Sequence, residues 1–407
     1  MKYMNRTMTM IAGVLAVSAS CALAQDWPQW RGANRDARAS GFTAPKTWPK
    51  ELTQKWKVSV GSGDATPALV GNKLYVFVRQ GDDEVIRCLD AVNGKELWQE
   101  KYAAQAVSGP AARHPGPRSS PTVAEGKIVT IGVGGVLSCV DAAKGKMLWH
   151  KDDFSGAWPR FYTSSSPLVT GGLCIAQLGG ESNGGIVAYD LATGNEKWKW
   201  AGDGTAYASP VLLTVGGTKM VVTLTPKKIV GIGVTDGKLL WEAPFPVQGR
   251  AYNAATPIVD GATVIYAGSG RGTKAVKIEK TADGFAAKEL WSNPDNAVQF
   301  SSPVLKGGQI YGISQAGVLF CLDAKDGKTL WTTELGARDF GSIVDAGSVL
   351  LALTPKGDLT VFEPSDKEYK KVAGYKVADS DTYGYPVVAG KDVFVKDKDS
   401  LALWTID

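Results

Sequence analysis

The chain has 407 residues, 44% of them hydrophobic and 21% charged, which is enough to bury a large core and excludes an intrinsically disordered polymer. The net charge is +5, and loss of a leader carrying Lys2 and Arg6 brings it to about +3 (5 minus 2). With no basic run interleaved with aromatics, that surplus is too small to argue for nucleic-acid binding.

The first 24 residues read as a secretory signal. Lys2 and Arg6 form the basic start, Met10 to Val17 the apolar core, and Ala22-Leu23-Ala24 an A-x-A cleavage site before Gln25. The apolar core is too short to span a bilayer, so the chain is expected to be periplasmic or secreted, with no transmembrane segment. Cys21 offers a second route, acylation to an outer-membrane lipoprotein, but Ser18 stands where a lipobox has Leu. Residues 25–51 form an N-terminal extension that opens Asp26-Trp27-Pro28-Gln29-Trp30-Arg31-Gly32 and shows no period. It is expected to lie as an ordered tail over the main body, across one end of a channel.

Residues 52–407 are a repeat. The clearest unit begins at Ser302-Pro303, runs through apolar stretches to Asp323, turns at Gly327 and closes on Trp331. That is four short strands joined by three turns, and self-similarity at about 40–50 residues with four strands per unit predicts a propeller blade. Leu52 to Val60, containing Trp56, is a lone strand. Blades one to six then open at Thr66-Pro67, Ser120-Pro121, Ser166-Pro167, Ser209-Pro210, Thr256-Pro257 and Ser302-Pro303. They close on Trp98, Trp149, Trp198, Trp241, Trp291 and Trp331. Blade seven is degenerate, with Ser342-Ile343 at its start and Tyr369 in place of Trp. Blade eight opens at Tyr385-Pro386 and runs out of chain after three strands, so the strand around Trp56 must complete it. The fold class is therefore all-β: an eight-bladed propeller of four-stranded antiparallel blades, its ring closed by the N-terminal strand.

The repeated residues have structural tasks. The Asp accepts backbone N–H groups, the Gly four positions later takes a left-handed backbone, and the Trp fills the gap between twisted sheets with an N–H that needs an acceptor. Cys88, Cys139 and Cys321 share one repeat position, two residues before that Asp, where other blades carry Ala188 or Val361. Together with Cys174 they read as small buried apolar residues, since equivalent positions on different blades are too far apart for a disulfide.

Asp-x-x-x-Gly-Lys-x-x-Trp, closing blades one, two and six, resembles the repeat of the pyrroloquinoline quinone (PQQ) type propellers. The resemblance covers about residues 52–407 and has two relevant branches: quinoprotein alcohol dehydrogenases, and the non-enzymatic outer-membrane assembly factors called BamB. The first branch implies PQQ with calcium, adjacent cysteines over the quinone and an Asp base. This chain has no Cys-Cys pair and no alignable calcium set, so no cofactor is firmly expected and no catalytic or metal residue is named. The resemblance therefore favours a binding scaffold with an envelope protein or small ligand as partner, and a monomer. A PQQ-dependent alcohol or sugar dehydrogenase is the alternative, and a carbohydrate or small-molecule binder the third reading.

The remaining candidates for chemistry are sparse. His114 and His150 are the two histidines, and both read as exposed loop residues. The clusters Gly132-Val133-Gly134-Gly135 and Gly268-Ser269-Gly270-Arg271-Gly272 do not open helices and read as turns. The best signal is positional. Residues three before each blade's anchor, the second residue of its opening pair, should ring the channel mouth: Asp64, Arg118, Ser164, Tyr207, Ala254, Phe300, Phe340 and Tyr383. Neighbouring loops add Arg160, Tyr162, Arg250, Tyr252, Gln299, Arg338 and Asp339. Polar groups on one side and aromatics on the other suit a ligand or peptide site.

Overall fold

A computed structural model of the chain describes residues 26–247, 249, 251–336 and 341–407. The signal segment with Cys21 and its cleavage site, and Arg250, Arg338, Asp339 and Phe340, lie outside the described residues. The strands form eight four-stranded antiparallel sheets. Blade one runs Ala68–Val70, Lys73–Gln80, Asp83–Asp90 and Glu96–Ala103. Blade eight takes its first three strands from the C-terminus and its fourth, Thr53–Ser59, from the N-terminus, with Lys57 opposite Ala402 and Ser59 opposite Ser400. The expected ring closure is what is seen. A 3₁₀ turn, Gly109–Arg113, interrupts the strands.

Burial falls from the axis outward. Second and third strands are buried on both faces, whereas fourth strands such as Glu96–Ala103 alternate between covered and exposed. Apolar clusters sit between neighbouring sheets: Tyr75, Phe77 and Ile86 of blade one pack with Ile128 and Val140 of blade two. Each blade therefore supplies half of two cores.

The repeat residues act across these gaps. Trp56, Trp149, Trp198, Trp291 and Trp331 each donate their indole N–H to a carbonyl of the next blade: Ala91, Leu191, Val234, Ala324 and Ser365, at 2.9–3.1 Å. Trp241 instead approaches Met220 Sδ at 2.9 Å, because the long hairpin of blade five replaces the usual turn. Trp98 finds no acceptor for its N–H among the described residues. The rings of Trp56, Trp98, Trp149, Trp198 and Trp291 also lie on the next blade's turn glycine; a Cβ on Gly145 would sit 2.4 Å from Trp98, and one on Gly327 2.3 Å from Trp291. The glycine is thus needed for its missing side chain as well as for its positive φ.

The fourth strand bulges at one register in blades one to seven, beside the pairs Cys88–Trp98, Cys139–Trp149, Ala188–Trp198, Gly231–Trp241, Ala275–Trp291, Cys321–Trp331 and Val361–Ala373. A small residue opposite the Trp leaves room for its ring, and the extra residue turns outward. That explains exposed Leu97, Leu148 and Leu290. The four cysteines are free and buried, as expected.

The Ser/Thr-Pro openings form a belt of hydroxyls around the axis. Tyr385 N–H donates to Thr66 Oγ1, Thr66 N–H to Ser120 Oγ, Ser120 N–H to Ser166 Oγ, and Ser166 N–H to Ser209 Oγ, at 2.8–3.0 Å. Thr256 N–H likewise donates to Ser302 Oγ at 2.8 Å. Proline following each hydroxyl has no N–H to satisfy in this tight space.

Candidate functional site

The two ends of the channel differ. At one end the N-terminal segment crosses the axis. Trp27 pairs with Leu69 of blade one, Pro28 O accepts Val123 N–H of blade two, and Ala37 and Ala39 bracket Asp345 of blade seven. From this bridge Trp30, Arg31 and Arg35 reach along the axis to the level of the opening pairs. Trp30 Nε1 donates to Thr256 Oγ1 at 2.8 Å, Arg31 to Pro303 O, and Arg35 to Pro210 O at 2.8 Å. Tail across the channel was expected; the arginines that anchor it were not, and their only signal was two basic residues in a Trp-rich segment.

At the opposite end the predicted ring residues fall into three groups. Asp64 and Tyr383 come together around His114: its Nδ1 lies 2.8 Å from Asp64 Oδ2, and its ring meets Tyr383 edge to face at 4.9 Å. His114 is thus half-buried and paired, where a free loop residue was expected, because the 3₁₀ turn folds its loop back over blade one. His150 lies on an exposed strand, with Nδ1 3.0 Å from Ser138 Oγ.

Aromatics form the second group. Tyr252 meets Phe161 at 5.1 Å and Tyr207 at 5.7 Å edge to face, and stacks on Phe300 at 6.1 Å. Phe161 N–H donates to Tyr207 Oη, and Ser164 Oγ donates to the Tyr207 carbonyl at 3.3 Å. Burial raises the Tyr207 pKa, so the phenol stays neutral. Phe300 is 39% exposed, and Arg160 is exposed with its guanidinium 5.6 Å from the Phe161 ring. Phe161 was missed because it sits outside the three-before-anchor position.

A third group supports the others. Arg118 donates to the carbonyls of Phe161 and His114 at 2.8 and 2.7 Å and to Ala111 O at 3.3 Å, fastening the histidine loop to blade three. Burial lowers its pKa, and Asp64 among its neighbours opposes that. Tyr162 turns inward, stacks on Trp158 at 5.1 Å and accepts Ser108 N–H. Below Asp64, Lys396 is buried with its ammonium on four carbonyls: Gly61, Gly63, Asp397 and Lys398, at 2.8–3.2 Å. The mouth is therefore a half-exposed imidazole–carboxylate pair beside an aromatic row, on a frame held by buried cations. It can stack a flat or apolar group and hydrogen-bond a polar one beside it.

The family model described as "Outer membrane protein assembly factor BamB" matches residues 48–201 and 82–333. Among curated relatives, BamB of Burkholderia pseudomallei is 26% identical over 366 residues, 86% of each chain, and BamB of Yersinia pestis 24% identical over 82% of this chain and 77% of that protein. A quinohemoprotein alcohol dehydrogenase of Comamonas testosteroni is 27% identical over 45% of this chain, but over 27% of its own length. Among solved structures, BamB from Moraxella catarrhalis superposes with a TM-score of 0.65 at 14% identity, covering 87% of this chain and 99% of that one. The Comamonas dehydrogenase gives 0.68 at 14% identity, covering 94% and 80%. At that identity the structural likeness shows the fold.

Proposed function

Because the chain belongs to the family described as outer membrane protein assembly factor BamB, we propose that it is an exported, non-catalytic scaffold that takes part in assembling outer-membrane proteins. The observation that carries this reading is the reach of the resemblance: it runs along most of both chains for the assembly factors and along about a quarter of the dehydrogenase. The partner is an envelope protein in the periplasm, and the mouth with His114, Asp64, Tyr252 and Phe300 is where a loop of it would sit. The dehydrogenase reading has less support from the side chains. Among the described residues no three His, Cys, Asp or Glu side chains gather as metal donors, and the four thiols are buried. The described residues offer a calcium–quinone pair no cluster of three carboxylates and no exposed thiols.

Two measurements test the proposal. Deleting the gene should lower the amount of folded outer-membrane β-barrel protein, restored by the wild-type chain and poorly by the Tyr252→Ala/Phe300→Ala double variant. Titrating the purified protein with PQQ and calcium, followed by dye-linked oxidation of alcohols and aldoses, should give no turnover. Turnover that is lost in Asp64→Ala would make the protein an oxidoreductase and sink the scaffold reading.

A further inference from the structure

At the bridged end of the channel the fold has taken two guanidinium groups out of water without giving either a carboxylate. Arg35 is almost wholly buried and spends its donors on neutral oxygens: Gln29 Oε1 at 2.8 Å, Pro210 O at 2.8 Å, Ser166 O at 3.3 Å and the Pro167 carbonyl. Arg31 is completely buried, and only its Nη2 is placed, on Pro303 O. Its Nε and Nη1 find no acceptor among the described residues, and the Tyr385 ring covers one side at 5.8 Å. Both arginines line a cavity of about 330 Å³ between the N-terminal segment and blades four to seven, which Asn34, Arg38 and Asp345 also border.

Charge decides what this cavity suits. Asp345 is already matched, by Arg38 Nε at 3.2 Å and Lys306 Nζ at 2.9 Å. Asp36 and Asp260, the other carboxylates in the lining, are exposed at the solvent side. Carbonyl dipoles solvate Arg35 but leave its charge uncompensated, and a buried cation with open donors is the costly kind of unsatisfied group. A water molecule in the cavity would leave the charge uncompensated; an anion there would balance it. The volume is at the small end for ligand sites, enough for a phosphate or a small carboxylic acid.

We propose that this cavity is an oxyanion site, in which the buried Arg31 and Arg35 supply the positive field and Asn34 and Arg38, on the open side, contact a carboxylate or phosphate group. The site is separate from the aromatic mouth, so it does not depend on the scaffold reading. The test is calorimetric titration of the purified exported chain with inorganic phosphate and with citrate, at ionic strength held constant with sodium chloride. Saturable binding of at least one probe is expected, weakened roughly tenfold or more in Arg31→Gln. Phosphate alone would assign a phosphoryl ligand, citrate alone a carboxylate. Should Arg31→Gln fail to fold, Asn34→Asp carries the test: a carboxylate at the cavity rim repels the probe and lowers its affinity several-fold. Absence of binding for both probes, or equal affinity in the wild type and Asn34→Asp, overturns the proposal.

Discussion

Two glycines separate backbone strain from crowding. Gly71 and Gly145 both have positive φ, 58° and 73°, but a Cβ on Gly71 would meet nothing within 4 Å, whereas one on Gly145 would strike the Trp98 ring. Gly71→Ala should therefore cost about 1 kcal/mol, the conformational penalty alone. Gly145→Ala should cost about 2–4 kcal/mol, because the Trp must also move. Urea midpoints of the two variants measure the difference, and equal midpoints would mean that the Trp gives way freely. Lys396 is the residue whose burial has a pH signature. Burial pulls its pKa down to about 8, against the raising effect of Asp64, Asp397 and Asp399. The unfolded chain holds this proton up to about pH 10.4. Between these values unfolding takes up a proton, so the Lys396 contribution to stability rises with pH from about 8 to 10.4 and falls as pH drops through that window. The full change is on the order of 3 kcal/mol. The stability gap between wild type and Lys396→Met should widen in favour of the wild type from pH 7.5 to 9.5; parallel curves would show that the ammonium is not desolvated.

Among the elements, the strand Ser400–Thr405 is the keystone. It lies between Asp392–Lys396 and Thr53–Ser59, and Ala402 pairs with Val395 on one side and Lys57 on the other. Ala402→Pro removes a ladder N–H in a central strand and should cost about 3 kcal/mol or more. Urea unfolding of the variant measures this loss. A variant of wild-type stability would show that this pairing is dispensable. The blade plan was legible in the sequence because Asp, Gly and Trp recur at fixed offsets, each set by a local turn or a flat contact. Its register of bulges was not, because a bulge is a relation between Trp98 and Cys88, ten positions apart, that neither residue announces. The mouth was half legible. Position relative to Ser/Thr-Pro located Asp64, Tyr207, Phe300 and Tyr383, but the loop that brings His114 to Asp64 and the inward turn of Tyr162 depend on Arg118 binding three carbonyls, which spacing does not encode.

For the whole molecule, the hydroxyl belt and the Trp–Gly contacts make blades eight, one, two, three and five lean on the next blade in one rotational sense. Such a ring should unfold as a unit, unlike an open solenoid whose ends fray. Ser120→Ala, which strands Thr66 N–H, should lower the urea midpoint by about 1–3 kcal/mol in stability without changing the slope, since the ring stays closed. A shallower slope would mean that blades come apart separately. The closure of blade eight also sets an order in time. Thr53 pairs with Thr405, so a strand made early waits for one synthesised about 350 residues later (405 minus 53). Until then the eighth blade's fourth strand can touch blade one through Trp56 and Ala91, but its ladder edge stays open to any other strand it meets. Ring closure therefore waits on one strand, and a chain cut before Ser400–Thr405 leaves the ring open.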